Sequence, residues 1–585
     1  MAQPLPEKQC DLVMKGGITS GVVYPSAVLQ LKDEYRFRSV GGTSVGAIAA
    51  AIVAAAEHGR VRDQGTGFAQ LEKMTEELRG PGFLQSLFVA RRGGRALYEV
   101  ASAALSKKGP LHILRVLLRR GWWALGGLLL WWASLGWAAW FLGDRWWLVP
   151  VLLGAWAIVG YVTLGMVTRK WGPSRLLAAA VLAVGWPALA APAAVAARGV
   201  SELGGSGYGM ISGREEGGVD ALGEWLHAHI QRASGLPDDR PLTFGDLEGS
   251  EIHLRMMTTD VTTARPVRLP GELQEFSFRP EDLRAVLPEQ VVGPLIERSR
   301  ELATERGRPE GDLLRLPPTD ELPVLLGFRM SLAFPGLFTA VRLWSEQLDG
   351  SPREHWFSDG GISSNFPIHF FDSWMPTRPT FGLSLGGGSG KAVQPPPKAN
   401  EPSLPRWSRV EKLGGFIKAI VDTMQEWRDT MQAELPGFRD RVWEVRLAGD
   451  EGGFNLGMGP ESIARLIEKG EEAGRSIREE FDWDQHVFTR YVMAMRLLEL
   501  GIPGGTDPAG RPGPGIREAF EGRREAFERG DVGARELFGY DQDWLRRAGA
   551  STGRLLREME GWSEFGGFAG QAPRPPGQMR VVPDV

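Results

Sequence analysis

The sequence predicts an α/β fold, split by a helical hairpin that crosses a membrane and followed by a C-terminal helical region. Two strand-like runs, residues 12–14 and 37–40, each lead through a glycine-rich turn, the second into a helix-forming stretch at residues 47–56. Strand and helix in alternation build layered α/β domains. Between residues 121 and 168 the only charged side chains are Asp144 and Arg145. They divide the stretch into apolar blocks at residues 122–143 and 146–168, each of about the ~20 residues that cross ~30 Å of hydrocarbon as a helix.

The run 12–14 is followed by Lys15-Gly16-Gly17-Ile18-Thr19-Ser20-Gly21. Backbone N–H groups of a glycine-rich loop that enters a helix point outward together and suit a developing oxyanion, so Gly16, Gly17 and Ile18 are candidate donors. The same loop could bind a phosphate, but no Gly-Lys-Ser/Thr run follows it, which disfavours a nucleotide P-loop. The second strand leads into Gly42-Thr43-Ser44-Val45-Gly46, which reads as a nucleophile elbow. Strand, sharp turn and helix in that order hold the Ser44 hydroxyl above the sheet, with Gly42 and Gly46 relieving crowding and the Val45 N–H a further oxyanion donor.

A serine nucleophile needs a base, and the candidate lies far downstream in Trp356-Phe357-Ser358-Asp359-Gly360-Gly361. An Asp before glycine is ordinarily only a turn; paired with an elbow serine, Asp359 becomes a candidate base. A carboxyl with a reference pKa near ~3.9 is a poor base at neutral pH unless apolar surroundings raise it. Asp359 is therefore expected in a dry pocket. His355 and His369 flank the turn and keep a Ser-His-Asp triad open as a rival, although neither has a local signature.

These three elements, in this order, resemble the patatin-like phospholipase family. The resemblance extends to Met257-Thr258-Thr259-Asp260, to Ser331-Leu332-Ala333-Phe334-Pro335-Gly336-Leu337-Phe338 and to Asn365-Phe366-Pro367. It covers about residues 10–60 and 245–390, with a weaker continuation to about 480. It implies a three-layer sandwich around a central, mostly parallel sheet, a Ser44–Asp359 dyad, an oxyanion hole from Gly16, Gly17, Ile18 and Val45, and motif glycines at Gly21, Gly42, Gly46, Gly360 and Gly361. It implies no metal and no cofactor. One departure is that the third glycine of the family loop is Ile18 here, and the basic position is Ser20; Ile18 does not readily take a positive φ.

Composition narrows the partners. A net charge of −4 over 585 residues gives no electrostatic case for nucleic acid, and no zinc-finger or helix-turn-helix spacing supports one. Cys10 is the single cysteine, so an intrachain disulfide is excluded and a reducing compartment is consistent. Residues 1–15 hold no apolar run of signal-peptide length, which places the N-terminus in the cytoplasm as an expectation. Lys107, Lys108, Arg115, Arg119 and Arg120 precede the apolar blocks and Arg169, Lys170 and Arg175 follow them. By the positive-inside rule both ends are cytoplasmic, on an inner membrane. A third apolar run at 176–197 is Ala-rich and carries Pro187 and Pro192. If it also spanned, Ser44 and Asp359 would lie on opposite sides of the membrane, so it is read as non-spanning.

The resulting division is a catalytic domain in two parts, residues 1–100 and 216–480, a membrane insertion at 101–215, a helical region at 481–565 and a disordered tail at 566–585. The leading reading is a membrane-tethered serine lipid acyl hydrolase, of phospholipase A or lysophospholipase type, acting on membrane phospholipids or other acyl lipids from the cytoplasmic face. The alternatives are a transacylase, thioesterase or neutral-lipid lipase on the same dyad, or a catalytically silent membrane-anchored regulatory protein.

Overall fold

A computed structural model of the chain describes residues 5–99 and 207–560, apart from 18, 64–65, 92–94, 96–97, 220, 306–311, 348, 388–389, 398–412, 453–454, 502–515, 522–541. The two apolar blocks at 122–143 and 146–168 and the run at 176–197 lie outside the described residues, as does the tail at 566–585. Among the described residues no helix is long and apolar enough to cross a membrane.

Strands β1 (Lys8–Met14) and β2 (Tyr35–Gly42) come from the first part of the chain. The second part contributes β3 (Gly209–Ile211), β4 (His253–Asp260), β5 (Arg265–Leu269), β6 (Ser277–Phe278), β7 (Leu314–Arg315), β8 (Gly336–Phe338), β9 (Val341–Glu346), β10 (Pro352–Ser358), β11 (Thr380–Gly387), β12 (Val393–Gln394) and β13 (Val442–Leu447). Eleven of them form one sheet in the order β12-β13-β11-β1-β2-β4-β10-β9-β6-β7, with β5 beside β4, while β3 and β8 pair separately. The middle, β13-β11-β1-β2-β4, is parallel. Both flanks are antiparallel.

The sheet is thus mixed, where a mostly parallel one was expected. The reason is connection length: β4 to β5 and β9 to β10 are joined by short turns, which permit only antiparallel pairing. The central strands behave as parallel strands should. Leu12, Val13 and Met14 at the end of β1 are all fully buried, because helices cover both faces of the sheet there.

The helices that position the site are α1 (Val23–Leu31), α2 (Val45–Asp63), α3 (Thr66–Leu78), α4 (Leu222–Ser234), α5 (Val324–Ser331), α6 (Leu413–Ala433), α7 (Pro460–Glu480) and α8 (Trp483–Gly501). Helix α2 is rich in alanine, and Ala47, Ala50, Ala51, Ala54, Ala55 and Ala56 are fully buried. A helix apolar on every side is a central one, and small side chains let sheet and helices approach it closely. A Cβ on Gly59 would lie 2.0 Å from the Ala233 carbonyl oxygen of α4, and one on Gly67 of α3 2.0 Å from that of Ala56.

Helix α7 closes the other side of the sheet against α1. Its Gly470 faces Val23 and Ser26, and its Gly474 faces Ala27, at backbone contact. Beyond it, α8 is fastened by Arg490 Nη2, 3.1 Å from an Asp372 carboxylate oxygen, and by a 2.5 Å contact between His486 Nδ1 and Asp440.

The α1–α7 contact leaves no room for a methyl group: a Cβ at Gly470 would sit 2.2 Å from the Val23 carbonyl oxygen. Gly470→Ala is expected to lower unfolding stability by about 1–3 kcal/mol despite the better helix propensity of alanine. Chemical denaturation measures it, and an unchanged midpoint would refute this packing.

Candidate active site

Ser44 occupies the single residue step between the turn after β2 and the start of α2, with φ +55°. A non-glycine residue in that region costs about 1–2 kcal/mol, and the surrounding contacts hold it there. Its N–H donates to Ser331 Oγ at 2.9 Å and its carbonyl accepts from the Ala47 N–H at 3.0 Å. The flanking glycines are needed for room. A Cβ on Gly42 would meet the Gly46 carbonyl at 2.6 Å and one on Gly46 the Met14 oxygen at 2.2 Å. A β-carbon anywhere in this elbow except at Ser44 and its neighbours would collide with β1.

Asp359 follows β10 and is pinned through its own backbone. Its N–H donates to the Ala333 oxygen at 3.0 Å and its carbonyl accepts from Thr259 Oγ1 at 2.9 Å. Thr258 Oγ1 donates to the Ser358 carbonyl at 2.7 Å and Ser358 Oγ to that of Ala333 at 2.8 Å. The motifs at 257–260 and 331–338 therefore hold the aspartate turn. Gly360 lies where a Cβ would meet the Met257 oxygen at 2.0 Å. The carboxyl accepts from the Gly361 N–H through Oδ1 at 2.7 Å, while Oδ2 is buried without a hydrogen-bond partner.

Burial pushes the Asp359 carboxyl up to about 7, against the opposing influence of the Ser44 hydroxyl and the Gly361 N–H. The Ser44 hydroxyl is near enough to bias that ionisation, yet it donates to the Gly17 carbonyl at 3.2 Å. Buried acceptors are nearly always satisfied, so the unpartnered Oδ2 makes Asp359 a candidate proton acceptor.

The glycine loop lies against the serine: a Cβ on Gly16 would be 3.2 Å from Ser44 Cβ. The Gly16 N–H is committed to the Asn365 carbonyl at 2.8 Å, so in this state it offers nothing to an oxyanion. Ile18 lies outside the described residues. Gly17, and Val45 at the first position of α2, remain as the donors that the described loop presents, the latter with the helix N-terminus behind it. Gly21 packs on Val45, with a Cβ there only 1.9 Å from Val45 Cγ1.

Behind this loop is a polar cluster that the motifs do not reveal. Lys15 Nζ pairs with Glu426 of α6 at 2.7 Å and donates to the Leu385 carbonyl at 3.1 Å. Asn365 Nδ2 reaches the same Glu426 at 3.4 Å, and the Asn365 carbonyl also accepts from Thr43 Oγ1 at 3.0 Å. One turn further along α6, Asp429 accepts from Ser364 Oγ and from the Phe366 N–H, both at 2.8 Å. Burial raises Asp429 to about 6, partly offset by these donors and by Lys15. The pattern of residues 422–433 reads as helical from the sequence; the roles of Glu426 and Asp429 had no local signal.

The rival triad finds a different arrangement. His355 Nδ1 lies 2.8 Å from Asp260 Oδ2 and its Nε2 2.8 Å from Ser345 Oγ, with Phe276 and Phe357 packed around the ring. That is a Ser-His-Asp set built without Ser44 or Asp359. Ser345 sits within strand β9, where no helix N-terminus or turn aims donors at an oxyanion. His369 packs edge-on against Phe370.

A family model described as patatin-like phospholipase matches residues 218–372, which include Asp359 but not Ser44. The RpoH suppressor of Rhizobium meliloti (strain 1021) is 32% identical over 663 residues, an alignment spanning 99% of each chain. The chain belongs to the patatin-like phospholipase family. The crystal structure of VipD from Legionella pneumophila is 11% identical, with 97% of this chain and 89% of that one covered, and its TM-score of 0.28 is too low to carry an argument. Family membership supports a hydrolase with lipid substrates, and the α/β sheet with its helical layers fits that assignment.

In this patatin-like site a small apolar cleft adjoins the elbow through Val45, the residue after Ser44. Its lining includes Thr19, Gly21, Ile48 and Ile52 of α2, and Trp225. Its cavity volume is about 70 Å³.

Three outcomes follow from the geometry. With Asp359 as the candidate base, kcat should rise with pH through about 7. For stability the sign is opposite, because a carboxyl raised from 3.8 to about 7 stabilises the fold only while protonated, fully below about 4 and no longer above about 7. Asp359→Asn should accordingly melt above wild type at pH 8 and match it near pH 4, while losing activity. Ser331→Ala leaves the Ser44 N–H buried without an acceptor, which costs about 1–3 kcal/mol, and should lower kcat with little change in KM.

Proposed function

We propose that this protein is a membrane-tethered serine lipid acyl hydrolase, of phospholipase A or lysophospholipase type, working through a Ser44–Asp359 dyad. The observation that carries the reading is a strained elbow serine beside a buried carboxyl whose one free oxygen faces a water-poor site, with an apolar cleft adjoining. Ser44 Oγ attacks the ester carbonyl and its proton passes to Asp359 Oδ2. The tetrahedral oxyanion is held by the N–H groups of Gly17 and Val45, with Ile18, and Gly16 once released from Asn365, as further donors of the loop. Protonated Asp359 returns its proton to the departing alcohol, leaving an acyl-enzyme. Water then attacks the acyl group, with Asp359 as base, to release fatty acid.

The tether is the pair of apolar blocks at 122–143 and 146–168, with basic flanks that favour a cytoplasmic face of the inner membrane for the catalytic domain. Both are consistent with a short connection through the domain, because an insertion at a surface loop leaves a scaffold intact. A tethered site meets its lipid at high effective concentration without desorption. One observation favours a second reading, a chain silent until triggered: Ser44 Oγ donates to Gly17 O and Gly16 N–H is taken by Asn365.

Lipid mass spectrometry on phospholipid vesicles carrying the full chain tests both. Wild type should release free fatty acid and lysophospholipid, and Ser44→Ala and Asp359→Ala should each lose at least about 10³-fold. Equal release by Ser44→Ala would refute the dyad, and silence of wild type on every vesicle composition would favour the second reading.

A further inference from the structure

We propose that Asp429 of α6 is a positioning residue for turnover: it aims the Asn365–Phe366 peptide, and that peptide holds the glycine loop and the elbow in register with Asp359. The effect on turnover rests on the hydrolase reading above; the peptide contact does not. Asn365 lies where the parts of the site meet. Its carbonyl accepts from the Gly16 N–H at 2.8 Å and from Oγ1 of Thr43, the residue before Ser44, at 3.0 Å. Its side-chain oxygen stands where a Cβ on Gly16 would collide with it, and 2.9 Å from where one on Gly361 would lie. Both contacts matter, since Gly16 lies against Ser44 and the Gly361 N–H donates to Asp359.

A peptide unit is planar and, between Asn365 and Phe366, trans, so its carbonyl and its N–H point in opposite directions. The N–H of that unit belongs to Phe366 and donates to Asp429 Oδ2 at 2.8 Å. Asp429 therefore fixes, from one side, the direction in which the Asn365 carbonyl meets Gly16 and Thr43 on the other. Its second oxygen accepts from Ser364 Oγ at 2.8 Å, which pins the chain before Asn365 as well. Glu426, one turn earlier on the same face of α6, accepts from Asn365 Nδ2 at 3.4 Å and pairs with Lys15 Nζ at 2.7 Å, so the helix also grips the residue before Gly16. Asp429 is buried, and burying a carboxyl costs stability unless donors surround it. A buried acid that bonds to the chain on both sides of a contact between loop and aspartate turn fits positioning better than fold stability alone.

The test uses the full chain and p-nitrophenyl butyrate, a soluble ester. Asp429→Ala removes both acceptors and should lower kcat about 10²-fold, the size expected when reacting groups are misplaced by an ångström, with KM within about twofold. Asp429→Asn should recover kcat to within about fivefold of wild type, because its amide oxygen can take the Phe366 N–H and its NH2 can donate to Ser364 Oγ. Hydrogen exchange gives a readout independent of activity: in Asp429→Ala the fragment that contains Gly16 should exchange faster, as the Gly16 N–H loses its acceptor. Faster exchange confined to α6 and residues 364–366, an unchanged or raised kcat, or equal loss in Asp429→Ala and Asp429→Asn would each overturn the positioning role. If Asp429→Ala does not fold, Thr43→Val takes its place, since it removes the other donor to the same carbonyl at nearly constant shape. In that variant kcat should fall about tenfold, and an unchanged kcat overturns the inference. Silence of wild type on this ester, with faster exchange at Gly16 in Asp429→Ala, would overturn the hydrolase reading and the effect on turnover while leaving the peptide contact in place.

Discussion

One hydrogen bond, from the Ser44 N–H to the Ser331 hydroxyl, joins the two halves of the site across 287 residues of sequence. The elbow places Ser44 in a left-handed backbone conformation that an isolated chain would leave at once, and its N–H would be buried without an acceptor if α5 were displaced. Helix α5 is itself held from behind. Arg329 donates through Nε and Nη2 to the carbonyl of Ser212 and through Nη2 to that of Thr339, while its Nη1 is buried without a hydrogen-bond partner, and burial lowers its pKa to about 9. The geometry of Ser44 thus depends on β3, on α5 and on the segment after β8, none of them near it in sequence.

The same elements position Asp359. Ala333, two residues beyond Ser331, accepts from both the Asp359 N–H and Ser358 Oγ. Serine and aspartate are therefore registered to one another by a stretch that contributes no reacting atom. Because the sheet turns antiparallel at β10, Asp359 arrives beside β4, whose Thr258 and Thr259 hydroxyls fix the turn from the other side. This explains why the mixed sheet matters: a parallel strand in that position would present its opposite end to β4 and carry Asp359 away from Ser44.

Electrostatics in the site follow from burial more than from charge pairing. Among the described residues no cation acts on Asp359, and desolvation, opposed by the Ser44 hydroxyl and the Gly361 N–H, places it near neutrality, where a carboxyl can both accept and return a proton. The cations are kept apart: Lys15 is neutralised by Glu426 and faces α6. That division leaves the loop's backbone N–H groups, and the N-terminus of α2, as the source of positive potential at the reacting carbonyl.

Much of this was legible in the residues. Gly42, Ser44 and Gly46 between a strand and an alanine-rich helix have few other uses, since turn geometry and close packing are local demands that a short motif can meet. Asp359 with Gly360 and Gly361, ordinarily only a turn, gained its meaning from that elbow, and the alternation of strand and helix announced an α/β domain. The mixed pairing of the sheet was not legible, because strand direction depends on which connections are short and which neighbours are taken. Nor were the partners of His355, which joins Asp260 and Ser345, or the commitment of the Gly16 N–H to Asn365, or the carboxylates of α6 behind the loop. By itself the sequence determined the local backbone geometry, a serine at an elbow and an aspartate at a turn. Only the tertiary structure decided which donors are free, which carboxyl is dry and which helix faces outward, because hydrogen-bond satisfaction and desolvation are set by residues hundreds of positions away.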